Sequence, residues 1–121
     1  MKSTYLKPFV MAALLLPSFS ILAEGGQPIG PQQGYTAMTL TEAKSAADDS
    51  LVSVRGYIVK RLSDDEYLLQ KNTDSLIVEI DDHLWHGIQI TDQHEVQLQG
   101  EIDQDWDRTE LEVRWLKVLT Q

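Results

Sequence analysis

Over residues 51–60 apolar and polar side chains alternate. Val52, Val54, Gly56 and Ile58 fall on one face; Ser53, Arg55 and Tyr57 fall on the other. A period of two is the signature of a half-buried strand. The pattern is clearest over residues 95–103, with Val96, Leu98, Gly100 and Ile102 in and Glu95, Gln97, Gln99, Glu101 and Asp103 out. Shorter strands are predicted over 66–71 and 76–80, and a last one over 110–119. That last strand buries Leu111, Val113 and Trp115 and then slips phase to Leu116 and Val118, which predicts a bulge near Trp115. Gly56 predicts a bend within the first strand. Turn-forming residues at 62–65, 72–75 and 104–108 separate the strands. Ahead of them, Thr39 or Thr41 offers an N-cap, Glu42 sits in the first turn, and Leu40, Ala43 and Ala47 have helical spacing. One short helix closing at Asp48-Asp49-Ser50 is expected there. The stretch 81–93 reads as one helical turn or a loop, with Gly87 as its stop.

Five short strands, a break of about a dozen residues between the third and fourth, and a glycine-bent first strand predict a mainly β domain. The expected architecture is a small five-stranded Greek-key barrel of the OB-fold type, with a short N-terminal helix and a helical turn between strands 3 and 4. A five-stranded SH3-like barrel is the alternative.

The start of the chain changes where such a barrel would work. Lys2 and Lys7 precede the apolar run PFVMAALLLPSFSILA, which ends on Ala23 before Glu24. These are the parts of a cleavable secretory signal peptide over residues 1–23, and the expected location is the periplasm. Pro17, Ser18 and Ser20 interrupt a run already short for a span of about 20 apolar residues, so stable membrane insertion after cleavage is not expected. An uncleaved anchor is the runner-up. Residues 24–34, rich in Gly, Gln and Pro, read as a flexible leader that runs on to residue 38, with the folded domain over 39–121. No cysteine is present, so the core alone must hold this domain. The whole chain carries a formal charge of −9, and loss of Lys2 and Lys7 makes it −11. That balance argues against nucleic acid, whose phosphates need clustered Lys and Arg. Cationic partners stay open, beside the plainer reading that the charge keeps the protein soluble.

The run VSVRGYIVKRLSDDEYLLQKNTDSLIVEIDDHLWHG, then VQLQGEIDQDW, then ELEVRWLKVL, carries a family resemblance. Its distinctive pieces are Gly56 with Tyr57-Ile58, the acidic turn before Tyr67, the step from Ile80-Asp81-Asp82 into Trp85 and Gly87, and Gly100-Glu101 leading to Asp105-Trp106. In order and spacing these resemble the bacterial OB-fold (BOF) family of exported stress-tolerance proteins, the YgiW/YdeI type. The chain departs from that pattern at residues 71–75, where such proteins tend to carry Asp and Gly. The resemblance implies a periplasmic OB barrel that helps Gram-negative cells tolerate envelope, oxidative, metal or antimicrobial-peptide stress, binding ligands other than nucleic acid. It supplies no catalytic residues.

Candidate chemistry is sparse. Asp82, His83 and His86 offer a weak divalent-metal set, because His83 and His86 would share a face of one helical turn. No cysteine completes a closed site, and Asp81-Asp82 reads equally well as a helix cap. Asp103, Asp105 and Asp107 open like a calcium loop, but Arg108 stands where glycine is required. The carboxylates sit in turns and on solvated strand faces, with no activated nucleophile, so no enzyme and no cofactor are expected. The aromatics are the better guide. Trp115 reads as packing and Trp85 as a cap on the barrel end, whereas Trp106 lies in an acidic turn. OB barrels bind through strands 2 and 3 and the loops joining strands 1–2 and 4–5. That maps to Arg61, Asp64, Asp65, Tyr67, Trp106 and Arg108. Rings beside charges suit a small ligand, a glycan fragment or a cationic molecule. The expected function is therefore non-enzymatic ligand binding in stress tolerance. The alternatives are an adaptor for an envelope protein, such as a porin or membrane enzyme, and a weak metal buffer.

Overall fold

The computed structural model describes residues 33–119. The signal peptide expected over 1–23, and the leader as far as residue 32, lie outside the described residues. Pairing begins earlier than the expected start near Thr39. Strand β1 (Thr36–Ala37) lies parallel to the next strand, and the Met38 N–H donates to the Ser53 carbonyl at 3.0 Å.

Helix α1 (Leu40–Lys44) starts at the Thr39 cap, whose hydroxyl accepts from the Glu42 N–H at 3.1 Å while the Glu42 carboxylate accepts from the Thr39 N–H at 2.9 Å. This reciprocal box satisfies two donors that have no intrahelical partner. Leu40 and Ala43 are buried. The helix ends at Ser45, sooner than Asp48, because Asp49 turns to φ +69 and its N–H donates to the Ile102 carbonyl at 2.7 Å. Ala47 is accordingly exposed.

Five strands follow: β2 (Leu51–Arg61), β3 (Glu66–Lys71), β4 (Asp74–Glu79), β5 (Glu95–Gln104) and β6 (Thr109–Val118). The order β1-β2-β3-β4-β6-β5, with a further β2–β5 pairing, closes the sheet into a ring. Among the described residues the two parallel pairings are β1–β2 and β4–β6. This is the OB-type barrel that the strand pattern predicts. The β3–β4 hairpin is tighter than expected: Lys71 pairs with Asp74, and Asn72 at φ +57 takes the left-handed conformation that the turn requires.

Inside the ring lie Val52, Val54, Leu69, Leu76, Val78, Val96, Leu98, Ile102, Leu111 and Val113, with Ile80 beside them. Two glycines let strands approach closely. A Cβ on Gly56 would lie 2.8 Å from the Gln70 carbonyl oxygen, and one on Gly100 would lie 2.1 Å from that of Glu112. Gly100 sits where β6 slips register, between the pairs Gln99–Trp115 and Gly100–Val113. The slip falls at Arg114, beside Trp115, where the sequence pattern predicts a bulge, but on the N-terminal side of that ring. Leu116 and Val118 therefore pack on the core, and Trp115 is turned out of it, half-buried opposite Gln99.

β2 serves both halves of the ring. Residues 51–57 pair with β5, and from Tyr57 onward the strand pairs with β3, with a bulge at Val59 between Ile58 and Lys60. The expected irregularity therefore falls three residues after Gly56.

Candidate ligand-binding groove

β5 leaves β2 at the Tyr57–Glu95 pair, so residues 58–61 have a strand neighbour only on the β3 side. On the other side runs the connector from Trp85 to Asp92. Between the two lies an open groove of about 860 Å³, lined by residues 58–61, Tyr67, Trp85 and residues 88–92. Its floor follows from the strand pattern, because Tyr67 is an inward position of β3 and is 9 % exposed. Trp85 meets it edge-on, with ring centroids 5.6 Å apart and planes at 71°. Such a T-shaped pair sets the positive edge of one ring against the negative face of the other. Trp85 is held there by a 3-10 turn (Asp82–Leu84) capped by Asp81, after which His86 at φ +47 and Gly87 at φ +75 redirect the chain. Ile58 and Ile90 are half-buried in the walls, while Val59, Leu62 and Ile88 are exposed in or beside the groove.

Arg61 stands over the Tyr67 ring, 5.8 Å from its centroid. Its Nε donates to the Ser63 carbonyl at 3.0 Å and its Nη2 to the Asp64 carbonyl at 2.8 Å, which pins the β2–β3 turn. Lys60 is exposed and has no ion pair among the described residues.

Of the six residues expected to form one ligand face, Arg61 and Tyr67 line this groove. Asp64 and Asp65 line a different cleft of about 570 Å³ with Ser63, Asp81 and Asp82. Trp106 stands out on the β5–β6 loop, 96 % exposed. Arg108 is exposed but engaged on the outside of the barrel, with Nη2 2.8 Å from Glu66 and 2.5 Å from Glu110. Both carboxylates, Glu110 foremost, hold its guanidinium more firmly protonated than usual. The face is divided because Arg108 of the β5–β6 loop is tied to the first residue of β3 and to β6 rather than left open to a ligand.

The metal candidates do not assemble. The 3-10 turn ends before His86, so His83 and His86 do not share a helical face. His83 Nδ1 lies 2.8 Å from Asp81 Oδ1, and this hydrogen bond is the largest cause holding the Asp81 carboxyl below its ordinary pKa. Asp81 is thus the cap that the sequence suggests as the plainer reading. Among the described residues no group of three His, Cys, Asp or Glu is gathered as a metal set.

A second feature crosses the barrel away from the groove. Successive pairings place Glu66, Glu79, Glu112 and Glu101 in one row over β3, β4, β6 and β5. Burial first, then Asp65, raises the Glu79 pKa; burial first, then Glu66, raises that of Glu110. Glu101 is raised mainly by a hydrogen bond with Asp49, and Asp103 mainly by the charge of Asp105.

Comparison with known proteins agrees with this architecture. Residues 20–118 match the family described as bacterial OB fold (BOF) protein. The chain belongs to the BOF family. Within it, the chain is 39% identical over 79 residues to the protein YgiW of Escherichia coli K12, covering 65% of this chain and 61% of YgiW. It is 38% identical over 110 residues to the calcium-regulated OB-fold protein CarO of Pseudomonas aeruginosa, covering 91% of this chain and 93% of CarO. The match thus spans less than two thirds of YgiW and nearly all of CarO. The solved structure of the hypothetical protein YgiW from E. coli superposes with a TM-score of 0.67 at 36% identity, covering 79% of this chain and all of that one. The telomere capping protein Ten1 of Schizosaccharomyces pombe, at TM-score 0.58 and 11% identity, shares the fold alone.

The groove itself was only half legible in this BOF sequence. Arg61 and Tyr67 were found through the loop and strand they occupy. Ile88 and Ile90 are not marked by any periodicity, although two isoleucines in a stretch without regular structure are a signal that something apolar is being lined.

Proposed function

We propose that this BOF protein works in the periplasm as a non-enzymatic binding protein in stress tolerance, taking a small ligand or glycan fragment in the groove floored by Tyr67 and Trp85. The observation that carries this reading is the aromatic pair at the bottom of an open, largely apolar groove, with the Arg61 guanidinium at its edge. Sugar rings and other flat or apolar ligands stack on such surfaces, and a few polar groups at the rim orient them. Neither Glu79 nor Glu110, whose pKa values are raised, lines this groove, which supports reading it as a binding surface.

The test is a titration with a disaccharide of N-acetylglucosamine, followed by tryptophan fluorescence. Saturable binding is expected, with affinity reduced about tenfold or more in Trp85→Ala, the loss that removal of one stacking partner worth ~1.4 kcal/mol produces. Trp106→Ala should bind as the wild type. The reverse pattern would move the site to the β5–β6 loop.

An adaptor role toward an envelope protein is the second reading. It is favoured by the exposure of Val59, Leu62 and Ile88 around the same groove.

A further inference from the structure

The β2 edge that bounds the groove is unpaired backbone as well as apolar surface. The Ser53 carbonyl accepts from Met38 on the β1 side of the strand. Alternation along a strand then turns the polar backbone groups of Val52, Val54, Gly56 and Ile58 to the opposite side. The first three face β5, opposite Gly100, Leu98 and Val96. Ile58 lies beyond the end of β5 and faces the groove.

The far wall does not cover that edge. Over residues 88–91 the chain runs without regular structure, and its backbone–backbone bonds among the described residues are local: Ile88 N–H to the Trp85 carbonyl at 2.6 Å, and His94 N–H to that of Thr91 at 3.1 Å. No backbone hydrogen bond crosses the groove between described residues. On this wall the Ile88 N–H, the Thr91 N–H (to His94 Nδ1 at 2.9 Å) and the Thr91 carbonyl are already engaged, so the open backbone of the slot is that of the β2 edge. An open strand edge of this kind is a template for another strand. Side chains alternating along an added strand would meet Tyr67, Trp85 and Ile90 on one side and solvent on the other.

We propose that the groove accepts an extended segment of a partner polypeptide, which adds to the β2 edge at residues 58–61 as a further strand. The inference rests on the groove reading above and names the partner for that same site. Four residues of strand span about 13 Å at most, and the bulge at Val59 interrupts them, so the added segment is short and has to step past that bulge. Its chemistry follows from the walls: apolar side chains at alternate positions for the Tyr67–Trp85 floor, and a carboxylate for Lys60, which stands unpaired at the rim. Asp92 is the one acidic side chain lining the groove. Main-chain bonding would give affinity and the alternate pockets specificity.

The experiment selects displayed random octapeptides on the protein purified after expression with its own leader, with counter-selection on Ile88→Arg. Ile88 is exposed, so this variant should fill the groove without unfolding the barrel, and its melting curve checks that. An enriched peptide is then made plain and with alternate backbone nitrogens methylated, in both phases. The expected result is that acidic, alternately apolar peptides are enriched and slow amide exchange at residues 58–61. Methylation in one phase should weaken binding at least tenfold and in the other phase leave it unchanged, and Lys60→Glu should weaken it about fivefold. Equal binding by both methylated phases would overturn strand addition, as would failure to enrich any peptide over Ile88→Arg. A dimer in sedimentation that Ile88→Arg abolishes would make a second copy the occupant and overturn the partner assignment. If the disaccharide binds and no peptide is enriched, the groove reading stands and this inference falls; if neither binds, both fall.

Discussion

Two regions of one barrel handle their backbone and their side chains in opposite ways. Across β3, β4, β6 and β5 every strand has neighbours in the ladder, yet the side chains on the outer face repel one another: Glu66, Glu79, Glu112 and Glu101 stand in a row. Like charges directly opposite across strands are destabilising. Arg114 on Glu101, and Arg108 on Glu66 and Glu110, offset part of that repulsion. At the second half of β2 the side chains are compatible and the backbone is incomplete, with apolar walls around an edge that no strand covers. The acidic face is finished as structure. The groove is unfinished as structure, and it is there that a partner has something to add.

The comparison can be broken most severely on the acidic side, where pairing is tight. Gly100→Ala would push a methyl group to within 2.1 Å of the Glu112 carbonyl oxygen, so β6 has to move. A loss of about 3 kcal/mol is expected, lowering Tm by roughly 15 °C in thermal melts. Acidification acts in the other direction. The pKa values of Glu79 and Glu110 are raised in the folded state, chiefly by burial. The fold therefore holds those protons more tightly than the unfolded chain. Stability falls as pH rises from the ordinary Glu value of 4.5 through the raised folded values, and the penalty is complete above them. Asp81 has the opposite sign: its lowered pKa contributes stability that is lost only below its ordinary value of 3.8. Melting followed by circular dichroism should thus give a higher Tm near pH 5 than at pH 7. The smallest effect is at Glu112, which is exposed and pairs with both Glu79 and Glu101. Glu112→Gln should raise Tm at pH 7 by about 2 °C and flatten the pH dependence.

How much of this was legible beforehand differs by element. The long strands announced themselves because their period of two reflects a barrel with one dry face: Val52, Val54 and Gly56, or Val96, Leu98, Gly100 and Ile102. Strand β1 did not, since two residues carry no period and Thr36–Ala37 is placed by pairing with Val52 and Ser53. Trp115 looked like core because the sequence pattern places the slip in β6 after that ring rather than before it, and a single bulge residue reverses which side chain enters. The candidate site was scattered for a related reason. Three connections separate Arg61 from the loop that carries Arg108, and only the three-dimensional register shows that Glu66 and Glu110 engage it. The groove depends on where β5 stops pairing and on a connector without periodicity, neither of which local pattern records.

The central claim is that β2 has β5 along one side as far as Tyr57 and no strand on that side over residues 58–61. Amide hydrogen exchange of the ligand-free protein, read residue by residue by NMR, tests it directly. The account predicts strong protection at Val52, Val54 and Gly56, whose N–H groups face β5, and exchange near the rate of an exposed amide at Ile58, whose N–H faces the groove. Protection at Ile58 equal to that at Val54 would mean that the edge is already covered, and the account would be wrong.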